Sequence, residues 1–303
     1  MSLGYAESGR IGHQGLHGAP EVTGQPVSLI GPEVSPAEIA RDYHRNMKIA
    51  VTGKGGVGKT TLTALLAQVY AERGHEVLAV DADPSPCLAG ALGFPADLRA
   101  KLRPISGMDA LIEERTGAKP GTTGGFFTLN PRVDDIPERF SVVHRGVRLL
   151  EMGSVDVGGS GCICPESAML KTLFANLLLR KQDVLLLDMY AGVEHLGRAT
   201  VDFVDGMIIV VEPTRRSLGT AAQIMKLAAD IGLRRLFIVG NKIRNDQEVR
   251  FLQDETQGLP VLGFLPADLG VQEADRLGVA VFDHVPALRE SAEQIVTSMP
   301  VPA

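Results

Sequence analysis

The run Gly53-Lys54-Gly55-Gly56-Val57-Gly58-Lys59-Thr60 constrains this chain more than any other feature. It fits G-x-x-x-x-G-K-[ST], a spacing in which glycines let the backbone wrap a phosphate chain with positive φ and no Cβ clash. Residues 47–52 before it are short, apolar and β-branched, as a buried parallel strand should be. After it, Leu62, Leu65, Leu66, Val69 and Tyr70 recur at helical spacing. The loop therefore joins a strand to a helix N-terminus, where unpaired N–H groups and the helix dipole attract an anion. Lys59 is expected on the β- and γ-phosphates, the Thr60 hydroxyl on Mg²⁺, and Thr61 at the cradle's edge. Lys54 is a second lysine in the loop. One lysine serves the loop's own nucleotide, so a second points to a loop that also serves a partner subunit.

The chain has 303 residues, enough for one large α/β domain or two small ones. Apolar residues make up 45% and charged residues 22%, the balance of a globular protein with an ordinary core. A net charge of −6 argues against a basic nucleic-acid surface. No apolar stretch reaches the roughly 18 residues of a membrane helix. Three cysteines, Cys87, Cys162 and Cys164, make no disulfide framework and fit a reducing cytoplasm.

Residues 1–46 are rich in Gly, Ser, His and Pro and read as a disordered N-terminal extension, with Met47 the functional beginning. From Met47, strands at 76–81, 147–152, 183–188, 206–212, 234–240 and 260–264 alternate with helices. The helices are expected at 165–181, 195–203, 215–231, 245–256, 268–277 and 286–297. This alternation predicts an α/β fold, a doubly wound, mostly parallel sheet flanked by helices, over 47–303. Residues 95–146 break the rhythm with Pro104, Pro120, Pro131 and Pro137, and read as an insertion near the site or a partner.

Ligands of open α/β sheets bind beyond the carboxyl ends of the strands. Val80 leads into Asp81-Ala82-Asp83, and Asp83 is the candidate to orient or deprotonate an attacking water. Asp81 either joins the Mg²⁺ shell or holds its own loop. The strand 184–187 is wholly apolar and ends in Asp188, a carboxylate that is costly there unless paired or linked to a metal. Asp188 is thus expected to serve Mg²⁺, either directly or through a ligand of the ion, and Gly192 to sense the γ-phosphate. Asn241 closes a late strand and offers a donor and an acceptor suited to a purine edge. Guanine-specific N-K-x-D needs an acid where Arg244 stands, so ATP is favoured over GTP.

Cys162 and Cys164 lie one residue apart ahead of a predicted helix. A helix N-terminus favours thiolate. Two thiolates are half of a tetrahedral site, which a twofold axis through this loop would complete with Ni²⁺, Zn²⁺ or an iron–sulfur cluster. Cys87 reads as structural, and His195 as a hydrogen-bonded helix-start residue rather than a ligand.

The loop with its extra Lys54 is similar to that of the MinD, ParA and nitrogenase iron-protein ATPases. Within that group the segments 161–166 and 188–198 look most like the CooC-type accessory ATPases of carbon monoxide dehydrogenase maturation. The resemblance implies an ATP-hydrolysing homodimer in which Lys54 reaches the other subunit's nucleotide and Cys162 and Cys164 bind metal at the interface. It implies a nickel enzyme as client. Tyr190 departs from the pattern, which usually carries an acid there. Two alternatives stand beside this reading. An iron-protein-like reductase would need a cysteine beyond Cys164, and none follows. A partition or positioning ATPase would bind DNA through residues such as Arg215, Arg216, Arg234, Arg235, Lys242 and Arg244, or a membrane through a basic C-terminal helix. The tail 286–303 has Arg289 as its only basic residue.

Overall fold

Strand β1 (Met47–Gly53) leads through the glycine loop into helix α1 (Lys59–Glu72), and β2 (Val77–Ala82) follows. Short helices α2 (Leu88–Ala91) and α3 (Ala96–Arg99) come next, then a 3₁₀ turn at Ile105–Gly107, α4 (Asp109–Thr116) and α5 (Ile136–Phe140). A hairpin of β3 (Val142–His144) and β4 (Val147–Glu151) precedes α6 (Pro165–Leu179) and β5 (Val184–Met189). The second half runs β6 (Gly206–Val211), α7 (Arg215–Ile231), β7 (Leu236–Ile243), α8 (Asp246–Glu255) and β8 (Val261–Pro266). It ends with α9 (Gly270–Leu277), α10 (Val281–His284) and α11 (Pro286–Ser298). This computed structural model describes residues 47–122, 126–153, 164–180, 183–190, 204–256 and 258–300. The expected extension 1–46, helix 195–203 and Gly192 lie outside the described residues.

The strands form one sheet in the order β3-β4-β2-β5-β1-β6-β7-β8. Every neighbouring pair is parallel except β3 with β4. The sheet has an apolar layer on each face, which explains why the central strands lack alternation. In β5, Val184 and Leu186 face the layer containing Leu62, Leu65, Val69 and Ile295. Leu185 and Leu187 face the layer containing Leu170, Leu173, Leu177 and Ile224. A strand buried on both sides must be apolar at every position.

The antiparallel strand β3 is not signalled by the sequence. Its turn, Arg145-Gly146, has positive φ at both positions (51° and 80°), the geometry of a two-residue hairpin. Arginine is not a usual residue for that conformation. An ion pair with Asp283, including Nη2–Oδ1 at 2.9 Å, holds it in place. The insertion 95–146 is likewise part of the fold. Ile105, Leu111, Ile112, Val133 and Ile136 pack into the same layer as Leu170 and Phe174 of α6. The Gly121 N–H donates to Glu166 at 3.3 Å, tying the insertion to the first turn of that helix.

Leu186 is fully buried in the middle of β5. Leu186→Ala should cost about 2–5 kcal/mol of unfolding free energy, the range for a leucine truncated in a tight core. Urea denaturation measures this, and a loss below about 1 kcal/mol would mean the layer can collapse around the gap.

Candidate active site

The parallel registers align the carboxyl ends of four strands. Glu151, Asp81, Asp188 and Val51 stand side by side across β4, β2, β5 and β1. Register partners point to the same face of a sheet. Val51 belongs to the layer beneath α1, so Asp188 points to the face that carries Thr60 and the glycine loop.

Two glycines make the loop's path possible. A Cβ on Gly53 (φ 149°) would sit 2.5 Å from the Val210 carbonyl oxygen of β6. Gly58 (φ 100°) is the N-cap of α1, and a Cβ there would strike the Asn241 amide. No side chain caps this helix and no acid sits in its first turn, so its N–H groups remain available to an anion. Lys59 is buried at the first helical position, and Thr60 and Thr61 are half-buried beside it.

The acids divide by their hydrogen bonds. Asp81 is fully buried and accepts from the Asp83 N–H at 3.1 Å and from the Cys87 and Leu88 N–H groups at 2.9 Å. Of its two expected roles, it performs the loop-holding one. Asp83 is half-exposed, and its Oδ1 accepts from the Ser85 N–H at 2.9 Å. Asp188 is 1% exposed, and neither carboxylate oxygen has a hydrogen-bond partner among the described residues. Burial pushes its carboxyl up to about 7. The Thr60 hydroxyl and the Lys59 ammonium oppose that shift, and Asp81 and Asp83 add to it. Two orphaned carboxylate oxygens beside a threonine hydroxyl suit Mg²⁺, which takes one or two protein oxygens and completes its shell with phosphate and water.

Asn241 is buried against the loop. Its Nδ2 donates to the Val57 carbonyl at 2.7 Å, and its Oδ1 accepts from the Lys242 N–H at 2.8 Å. The amide thus braces the loop as its first task, although Asn241 also lines a cavity of about 370 Å³. That cavity lies beside Gly56, Gly58 and Thr61 and is also lined by Pro266, Leu269 and Leu288.

Residues 48–281 match the CbiA family, the CobQ/CobB/MinD/ParA nucleotide-binding domain. The chain belongs to this family. It is 47% identical to the carbon monoxide dehydrogenase accessory protein CooC of Rhodospirillum rubrum, over 84% of this chain and 96% of that one. It is 46% identical to an ATP-binding protein of Methanocaldococcus jannaschii, over 77% of this chain and 90% of that protein. Among solved structures, MinD of Aquifex aeolicus is similar in fold, with a TM-score of 0.59 at 22% identity over 84% of this chain and 98% of that one. The resemblance read from the loop and from segments 161–166 and 188–198 is borne out, and the chain is an ATPase of the CobQ/CobB/MinD/ParA family.

In this ATPase Cys164 is half-buried at the N-cap of α6, with Pro165 at the first helical position. Helix α6 lies between parallel β4 and β5 in the chain, so it runs antiparallel to them and starts at the carboxyl edge, the edge that carries the loop. Cys162, Gly192 and His195 lie outside the described residues. Among the described residues no group of three or more His, Cys, Asp or Glu is disposed to hold a metal. Cys87 is exposed and its thiol donates to the Ser85 carbonyl at 3.1 Å, a turn contact. Tyr190 is 52% exposed, and its carbonyl accepts from Thr52 Oγ1 at 3.3 Å, joining the ends of β1 and β5. Sequence reasoning missed Glu212, which stands between Lys54 and Lys242. The rule applied to Asp188, an acid ending an apolar strand, would have found it.

Asp188 makes the stability of the folded chain depend on pH. Its folded value of about 7 exceeds the ordinary 3.8, so between those limits the folded protein holds a proton that the unfolded chain has lost. Its contribution to stability is therefore full below 3.8 and is lost as pH rises towards 7. Asp188→Asn should gain stability over the parent, without nucleotide, by up to about 1.4 kcal/mol per pH unit across that window. Denaturation curves at a series of pH values test this; a flat difference would mean the carboxyl ionises normally.

Proposed function

We propose that this ATPase is a dimerising maturation factor that uses ATP to assist insertion of nickel or a metal cluster into a client enzyme of the carbon monoxide dehydrogenase kind. One observation carries the reading: the similarity to CooC runs over 96% of that protein's length. In the proposed cycle the loop N–H groups and Lys59 hold the triphosphate. Thr60 and Asp188 hold Mg²⁺, which neutralises charge on the β- and γ-phosphate oxygens. Asp83 orients the attacking water, and Lys54 reaches the partner's nucleotide. ATP binding clamps two subunits and hydrolysis loosens them. Cys162 and Cys164 from both subunits hold the metal cargo at the twofold axis, a C-x-C pair being half of a tetrahedral site. We place this activity in the cytoplasm, where thiols stay reduced.

Two observations weigh against a positioning ATPase on a membrane or DNA. The last helix, α11, buries Leu288, Ile295 and Val296 in the core, and its Arg289 is paired with Glu72 at 2.7 Å and Glu293 at 3.0 Å. Its apolar face is already used. Arg215, Lys242 and Arg244, half of the candidate DNA-binding cluster, are ion-paired to Glu255, Glu212 and Glu248.

Lys59→Ala should abolish ATP turnover, since that ammonium neutralises the transferred phosphate; normal hydrolysis by the variant would mean the loop is not the site. The double variant Cys162→Ser, Cys164→Ser should lose about one metal ion per dimer while still binding ATP, because two thiolates from each subunit make one four-coordinate site. Metal analysis of the purified protein reads this, and an unchanged metal content would remove the carrier role.

A further inference from the structure

Lys54 is the residue proposed to touch the partner's nucleotide, yet within one protomer its ammonium already has an acid. Lys54 Nζ lies 3.8 Å from Glu212 Oε1. The other oxygen of that carboxylate lies 3.3 Å from Lys242 Nζ, which also donates to the Gly56 carbonyl at 2.7 Å. Glu212 directly follows the last residue of β6, and its N–H donates to Ser217 Oγ at 3.1 Å in the first turn of α7. The Glu212 side chain is only 21% exposed, so this charge is better shielded from water than an ordinary surface acid. Lys242 has a φ of 60°, rarely adopted by lysine, and its side chain returns over the glycine loop. One carboxylate is thereby shared by a lysine of the phosphate loop and a lysine of β7 that reaches over it.

We propose that Glu212 is a positioning residue for Lys54. It parks this lysine on its own subunit until a triphosphate in the partner's loop offers a stronger anion. The proposal rests on the reading that Lys54 acts across the interface. The exchange is physically easy for three reasons. The carboxylate is divided between two cations, so its hold on Lys54 is partial. A γ-phosphate brings additional charge and acceptor oxygens. Lys242 stays on Glu212 when Lys54 leaves, so the half-buried acid keeps a partner. A diphosphate lacks the group that draws the lysine away. Glu212 thus raises the threshold for dimerisation and makes it depend on the third phosphate.

Sedimentation velocity with Mg²⁺ and a non-hydrolysable ATP analogue tests this on the full chain, with fluorescent-ADP titration reading nucleotide binding separately. Glu212→Gln keeps shape and removes charge. It should dimerise at about two- to five-fold lower protein concentration than the parent, the range for a partly exposed ion pair. Glu212→Ala should shift at least as far, and neither should restore dimerisation to Lys54→Ala. Unchanged or weaker dimerisation of both Glu212 variants, with Lys54→Ala still unable to dimerise, overturns the parking role alone. A Glu212 change that rescues Lys54→Ala also overturns it, because the acid then acts through another group. Dimerisation of Lys54→Ala at the parent's concentration defeats the across-interface reading itself, and the parking role with it.

Discussion

The pairing of Asp188 on β5 with Val51 on β1 is the constraint on which the rest of the site depends. It fixes the carboxylate on the face beneath α1, next to the loop that β1 feeds. A carboxylate buried there without a hydrogen-bond donor is unfavourable for the folded chain. The sheet tolerates it because the pairing is embedded in two apolar layers that are buried almost completely. A cation bound at that carboxylate would relieve this cost and so add to the stability of the folded chain, because a ligand that binds only the folded state shifts the folding equilibrium towards it.

Three acids end three apolar strands, and their surroundings give them different work. Asp81 is saturated by backbone N–H groups and shapes the turn that presents Asp83. Asp188 has no hydrogen-bond donor among the described residues. Glu212 is shared between the loop lysine and Lys242. Sequence alone cannot separate these roles, because each acid has the same local signature. The difference is whether the following backbone curls back over the carboxylate, as residues 83–88 do around Asp81.

The legible parts of this protein were those governed by neighbours in the chain. The glycine loop, its flanking strand and helix, the two-sided apolar strands and α7 over 215–231 follow from periodicity and backbone freedom. The hairpin strand β3 was not legible, since its Arg145-Gly146 turn is held by Asp283, which is remote in sequence. The helices of the insertion were hidden for a similar reason. They are short and weakly patterned, and their apolar residues find partners only on α6. Asn241 was read as a purine contact from its donor and acceptor. Packing first turned both towards the backbone of the loop and the neighbouring residue.

Sequence by itself determined that a glycine loop would join a parallel strand to a helix, and that Lys59 and Thr60 would open that helix. Those facts need only local backbone geometry and the 3.6-residue period of one helix. Only the tertiary structure decided which acid is left without donors, which asparagine braces the loop, and that Lys54 rests on Glu212. Lys54 and Glu212 follow the neighbouring strands β1 and β6, and Asn241 reaches the loop from β7 beyond them; these partners are more than a hundred residues apart in the chain, and no local pattern encodes such placement.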